Sequence, residues 1–264
     1  MALLALLFLL FGGGLAWRLA ARASRHDRLF AWLFALSLAS ILLWFATAQW
    51  TDLSFRLLPW DDWLFFERPV LFLAVFLLLA LCLRRLERRR ALLVGVIAAI
   101  FGLYALAETA GPLGLPLWAP RLSDRTDRAD DGQQSTGWSC SAAVLAWALR
   151  QEGLPVSERQ VALLAGTNPL HGTVNRGLVR AAHRLGRPAY VLIRARWEDL
   201  VTLPKPLLTG WYLGNGVMHE IAVVGVDSEG VDVHDPLLGD QRYALAEFRQ
   251  RWQRDLLVLA ERQR

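Results

Sequence analysis

The stretch DGQQSTGWSCSAAVLAWALR, residues 131–150, places Cys140 where a loop of small and polar residues turns into a helix. A thiol at the positive end of a helix dipole is biased towards thiolate, the form that attacks a carbonyl carbon. A cysteine standing alone is as readily a small core residue, so Cys140 acquires chemistry only with partners. The second cysteine, Cys82, lies inside an apolar run, which leaves a disulfide between the two without support.

A thiol nucleophile needs a general base and a group that orients the base. His171, in TNPLHGT, and His183, on a helix face among arginines, read as solvated or structural residues. His219 opens the first strand of a hairpin, MHEIAVVGVDSEGVDVHDP, whose polar turn falls at Asp227–Gly230. Antiparallel pairing lays the start of one strand beside the end of the next, so His219 and Asp235 are expected to be neighbours. Side chains alternate along a strand, so His234 should face away when Asp235 faces His219. Gln134 stands six residues before Cys140. Its side-chain amide, with the backbone N–H of Cys140, offers two donors to an oxyanion; Gln133 beside it reads as a solvated loop residue. Zinc held by Cys140, His219, His234 and Asp235 is the rival use of these residues. The alternation that separates His234 from Asp235 argues against it, and no ligand motif of metal spacing is present, so no metal or other cofactor is expected.

The elements that must hold these residues can be read from periodicity. Ser139 to Arg150 has helical spacing, SERQVALLAG opens with Ser157 as N-cap and ends at a glycine, and TVNRGLVRAAHRLG is a third helix. AYVLIRA and KPLLTGWYL read as strands, followed by the hairpin, a short helix in LAEFRQRW and a closing strand in DLLVLA. Helices followed by an antiparallel sheet make an α+β domain over residues 132–264.

Taken together, QSTGWSCSAAVLAWALRQEG, MHEIAVVGVDSEGVDVHDPLLG and LAEFRQRW resemble the bacteriocin-processing cysteine peptidases, the double-glycine leader peptidases of the papain-like clan. The resemblance spans about residues 131–253. It implies a papain-like fold, with Cys140 as nucleophile, His219 as general base and then acid, Asp235 orienting His219, and Gln134 lining the oxyanion hole. It implies cleavage after small residues such as Gly-Gly in a peptide or protein substrate. Two departures stand out: Ser141 replaces the glycine usual after the nucleophile, and the chain has no G-x-x-x-x-G-K-[ST] loop, so any ATP-driven transporter would be a separate partner.

The first 111 residues differ in character. The chain of 264 residues is 55% hydrophobic, above the roughly 45–50% of soluble domains. The excess is concentrated in uncharged runs at 1–17, 29–51, 69–83 and 91–107. About 20 apolar residues cross a bilayer core as a helix, and flanking arginines can extend the shorter runs, so four spans are expected. The first run lacks a basic start and a clean cleavage site and reads as an uncleaved span rather than a signal peptide. RLAARASRHDR and RRLERRR, between alternate spans, carry the arginine excess. The positive-inside rule then puts those loops in the cytoplasm and the peptidase-like domain outside it, at a bacterial inner membrane. Trp50, Trp60 and Trp63 read as interfacial anchors. The proline-spaced stretch 112–131 reads as a linker. The net charge of +5 belongs mainly to the juxtamembrane arginines, which removes the case for nucleic-acid binding.

Three functions fit this reading: a membrane-anchored cysteine peptidase, a cell-wall amidase or peptide transferase using the same Cys–His chemistry, and a non-enzymatic peptide-binding membrane protein. The intact set Gln134, Cys140, His219 and Asp235 favours the first.

Overall fold

The computed structural model describes residues 2–49, 61–127, 132–214 and 217–260. Trp50 and Trp60, read above as anchors, lie outside them, as do Arg56 and Arg128. The chain divides into two compact units, 1–113 and 114–264.

The first unit holds four long helices, α1 (Ala2–Ala23), α2 (Asp27–Gln49), α3 (Leu64–Leu83) and α4 (Arg88–Ala110). Four segments, Ala2–Ala23, Asp27–Phe45, Phe65–Leu83 and Arg89–Leu113, are long and apolar enough to cross a membrane. Small residues let the helices approach: Ala20 and Ala23 of α1 pack with Ala80 and Leu81 of α3, among Leu29, Phe30 and Leu33 of α2. Leu4, Phe11, Leu42, Leu92 and Ile100 remain exposed on the outside of this unit, an apolar surface compatible with a membrane.

The second unit begins with a short helix, α5 (Leu115–Trp118), and a 3-10 turn, Ala119–Arg121. The stretch read as an unpacked linker is thus partly folded. Leu122 is buried, the Ser123 carbonyl accepts the N–H of Arg159, and Asp124 pairs with the Arg159 side chain. The prolines that suggested a linker initiate tight turns, and an apolar residue follows them into the core.

Three helices come next, α6 (Cys140–Gln151), α7 (Glu158–Ala165) and α8 (Asn175–Arg184). α7 is fixed at both ends by its sequence. Ser157 Oγ accepts the Gln160 N–H at 3.1 Å while Gln160 Oε1 accepts the Ser157 N–H at 3.0 Å, and Gly166 ends the helix at φ 67°. α6 is buried along almost its whole length, because its alanines let neighbours approach from every side.

Six antiparallel strands follow: β1 (Ala189–Ile193), β2 (Leu207–Gly214), β3 (Val217–Val226), β4 (Gly230–Asp235), β5 (Gly239–Ala244) and β6 (Asp255–Leu259). They form one sheet in the order β1-β6-β2-β3-β4-β5. Helices α9 (Trp197–Thr202) and α10 (Leu245–Arg251) complete the unit. Trp211, Ile221, Val223, Val231, Val233, Phe248 and Leu256 form the core that fixes the sheet. Helices preceding an antiparallel sheet give the α+β class expected from the sequence. Two elements were not expected: α9, only six residues long, and β5, whose GDQRYA alternates half-buried and exposed positions at the sheet edge.

Candidate active site

α6 starts at Cys140, and its N-cap, Ser139, makes no side-chain cap bond. The Ser139 hydroxyl is engaged with Thr136 instead, donating to its carbonyl at 3.1 Å. First-turn amides of a helix have no intrahelical acceptor, so those of α6 stay available to a negatively charged group. Cys140 itself is partly exposed, as a nucleophile that must meet a substrate has to be.

β3 carries His219 opposite Trp211 of β2. The β3–β4 ladder pairs Val226 with Val231 and Gly225 with Asp232, then slips by one at a bulge and continues through Val223–Val233 and Ala222–His234. One more step places Asp235 across from residue 221, not 219. His219 and Asp235 are therefore diagonal neighbours on one face, two residues apart along β3, a separation that a long ring side chain bridges. The bridge is made: His219 Nε2 donates to Asp235 Oδ1 at 2.8 Å. Both residues are buried. Asp235 also caps its own turn, since Oδ1 accepts the N–H of Leu237 at 2.7 Å and of Leu238 at 3.3 Å. Gly239, at φ 77°, reverses the chain into β5 there.

With Nε2 committed to Asp235, the other ring nitrogen is left to act on the Cys140 thiol, and each group shifts the other's proton affinity. Burial alone would push the Cys140 thiol up. The hydrogen bond and charge of His219, with further bonds from Ser141 and the Glu220 backbone N–H, outweigh it and lower the thiol below its ordinary value. Burial likewise pulls His219 down, but the bonds to Asp235 and Cys140 prevail and raise it to about 9. The two shifts run in the direction of a thiolate–imidazolium pair, an arrangement that would supply a nucleophile and a proton donor together. Asp235 is held below its usual value: burial pushes it up, and the His219 and Leu237 bonds more than offset that.

Gln134 is placed differently from the expectation. Its Nε2 donates to the Thr136 carbonyl at 2.8 Å, and its Oε1 is buried without a partner. Its backbone N–H donates to the Pro236 carbonyl at 2.8 Å, which ties the loop before α6 to the turn after Asp235. His234 stacks on Trp147 at 4.0 Å and its Nδ1 meets Asp240 Oδ1 at 2.8 Å, so it is turned to other partners than His219.

Cys140 and His219 open onto a cavity of about 470 Å³, within the usual size of a ligand site. The loop 169–174, including His171, forms part of its wall, although His171 read from the sequence as solvated or structural. Three lining residues had no signal in the sequence reading: Asn175, Glu220 and Asp255. Glu220 looked like any strand residue following His219. Its carboxyl is pushed well above the ordinary carboxylate range by burial first, then by the negative charges of Asp255 and Cys140.

Residues 132–264 match the family described as the Peptidase C39 family. An uncharacterised protein of Methanothermobacter marburgensis is 34% identical over 107 residues, 40% of this chain and 71% of that protein. The probable functional amyloid protease FapD of Pseudomonas aeruginosa is 33% identical over 133 residues, 47% of this chain and 57% of its own length. Among solved structures, the peptidase domain of Streptococcus ComA, a bi-functional ABC transporter involved in a quorum-sensing pathway, aligns at TM-score 0.46 and 23% identity, over 53% of this chain and all of that one. A double glycine motif protease from an AMS/PCAT transporter, in complex with the leader peptide, aligns at 0.43 and 24%, over 48% and 86%. With the family matched over half its length, and a cysteine, histidine and aspartate assembled in that half, this chain belongs to the Peptidase C39 family of cysteine peptidases.

Proposed function

We propose that the protein is a membrane-anchored cysteine peptidase in which Cys140, His219 and Asp235 act as one unit. The observation that carries this is the 2.8 Å bond from His219 to Asp235 on a ring whose other nitrogen serves a partly exposed Cys140. Cys140 Sγ attacks the scissile carbonyl, and the His219 imidazolium gives its proton to the leaving amine. The neutral imidazole then takes a proton from water, whose hydroxide displaces the thiol from the thioester and releases the carboxylate product. Asp235 keeps the ring oriented and supports its positive charge. The Cys140 N–H is the first oxyanion donor, and Gln134 is assigned as the second, exchanging the Thr136 carbonyl for substrate oxygen by side-chain rotation.

Residues 1–111 serve as the anchor, 112–131 as the connection and 132–264 as the catalytic domain, on the extracytoplasmic side of a bacterial inner membrane. The substrate is an exported peptide or protein cut after small residues such as Gly-Gly. Support for this comes from the family and from relatives whose names include a double glycine motif protease and a functional amyloid protease. A transporter is the corresponding partner. Cell-wall amidase or peptide transferase activity is the rival chemistry, and peptide binding without turnover is the third.

The test is cleavage by the full chain in detergent micelles, read by mass spectrometry on Gly-Gly peptides and on peptidoglycan fragments. Cleavage of the peptides that is lost in Cys140→Ala supports the proposal. Cleavage unchanged in Cys140→Ala, or turnover of wall fragments alone, sinks it.

A further inference from the structure

The cavity beside Cys140 carries two carboxylates for which peptide hydrolysis itself has no use. Glu220 follows His219 on β3, is more than nine-tenths buried at 8% exposure, and lines the cavity. The one hydrogen-bonding partner of its carboxyl among the described residues is the Ser141 hydroxyl, which donates to Oε2 at 3.4 Å, near the outer limit for such a bond. No lysine or arginine among the described residues pairs with it. Asp255, at the start of β6, lines the same cavity and is held in place: its Oδ1 accepts the Gly210 N–H at 3.0 Å and its Oδ2 accepts Asn175 Nδ2 at 2.9 Å.

The sheet leaves room between them. Gly210 is the β2 residue paired with Glu220, and it also lines the cavity. A Cβ there would stand 3.0 Å from Gln253 Oε1 and 3.2 Å from Asp255 Oδ1, so a side chain at position 210 would crowd Asp255 where it faces the cavity. Ser141, where similar peptidases have a glycine, supplies the hydroxyl that steadies the Glu220 carboxyl. Two carboxylates line the same cavity, one of them more than nine-tenths buried, with no lysine or arginine among the described residues paired to it and the His219 ring as the positive charge that acts on it.

We propose that Glu220 is the specificity-determining residue of this cleft: with Asp255 it forms an anionic subsite for the ammonium or guanidinium of a substrate lysine or arginine within two residues of the scissile bond. The inference rests on the peptidase reading above and narrows its substrate class. In the empty cavity burial, and then the charges of Asp255 and Cys140, disfavour the Glu220 anion. An arriving cation reverses that balance, since an opposite charge within a few ångströms favours the ionised form. A neutral side chain of the same length gains nothing comparable.

The experiment uses fluorescein-labelled decapeptides with a central Gly-Gly and a single lysine or norleucine moved through the flanking positions. Binding to full-length Cys140→Ala protein in an uncharged detergent is read by fluorescence anisotropy, and turnover is read on the wild type. At one position or more, lysine is expected to bind about tenfold tighter than norleucine, as one charge-assisted contact provides. In Glu220→Gln, which keeps shape and whose fold is checked by circular dichroism, the preference should fall to about twofold or less, with a smaller loss in Asp255→Asn. Equal binding of lysine and norleucine at every position overturns the inference, and so does a preference that survives Glu220→Gln. Preferential lysine binding without cleavage of any peptide by the wild type upholds the subsite and sinks the peptidase reading instead.

Discussion

At the scale of single residues, the proposed site is an ion pair of Cys140 and His219, and its pH dependence follows from the two shifts. Cys140 must be thiolate, so kcat/KM rises with pH through a value below the ordinary thiol range. His219 must be protonated, so kcat/KM falls again as the ring loses its proton near pH 9. A bell with its alkaline limb near pH 9 is expected from initial rates across pH 5–10, and a limb near 6.5 would contradict the pairing. Asp235→Asn tests the cause. Asparagine keeps an Oδ1 acceptor for Leu237 and Leu238 but removes the charge that raises His219. The alkaline limb should move to lower pH and kcat fall by about 10²–10⁴-fold; an unmoved limb would assign the shift to something else. The helix start at Cys140 and the meeting of His219 with Asp235 were legible in the sequence because a helix start and a hairpin each have a local signature. Glu220 was not, because what makes it unusual is an empty position on the neighbouring strand and Asp255 on another, both distant in sequence.

At the scale of elements, what the sequence reveals depends on whether an element is specified locally. α7 has a capping box and a terminal glycine in its own sequence, and it forms where those signals place it. β5 is an exposed-edge strand of alternating polar residues, and its pairing with β4 is what makes it a strand. The bulge between Val223 and Gly225 is hinted at only by a glycine inside a strand pattern, which does not give its register, yet it sets the diagonal approach of His219 and Asp235. Gln134 shows the same limit: spacing marks it as a candidate donor, and only the local carbonyl at Thr136 decides where its amide points at rest. Packing between helices is equally non-local. Gly177 of α8 lies so close to the end of α7 that a Cβ would sit 2.4 Å from the Ala165 carbonyl oxygen, a backbone atom with little freedom to yield. Gly177→Ala is therefore expected to destabilise the second unit by about 1–3 kcal/mol. Thermal unfolding of the purified chain followed by circular dichroism reads this, and an unchanged midpoint would mean that the two helices separate freely.

At the scale of the molecule, four helices of membrane-spanning length precede a unit with its own core and its own cavity. Composition made this division visible at once, since uncharged runs are long-range features that no folding detail obscures. The side of the membrane on which the second unit sits is a separate matter, and the arginine distribution is the ground on which it is proposed to lie outside the cytoplasm. An alkaline phosphatase fusion after Arg264 should be active, whereas an inactive phosphatase with a fluorescent cytoplasmic reporter at the same point would reverse the topology. The central claim, that Cys140 is a nucleophile made by His219, is tested most directly by alkylation with iodoacetamide across pH 5–10. The modified residue is located by mass spectrometry in the wild type and in His219→Ala. Cys140 in the wild type is expected to react already near pH 6, more than about tenfold faster than in His219→Ala. A Cys140 whose reactivity climbs only near the pKa of an ordinary thiol, about 8.5, and is indifferent to His219, would contradict the account.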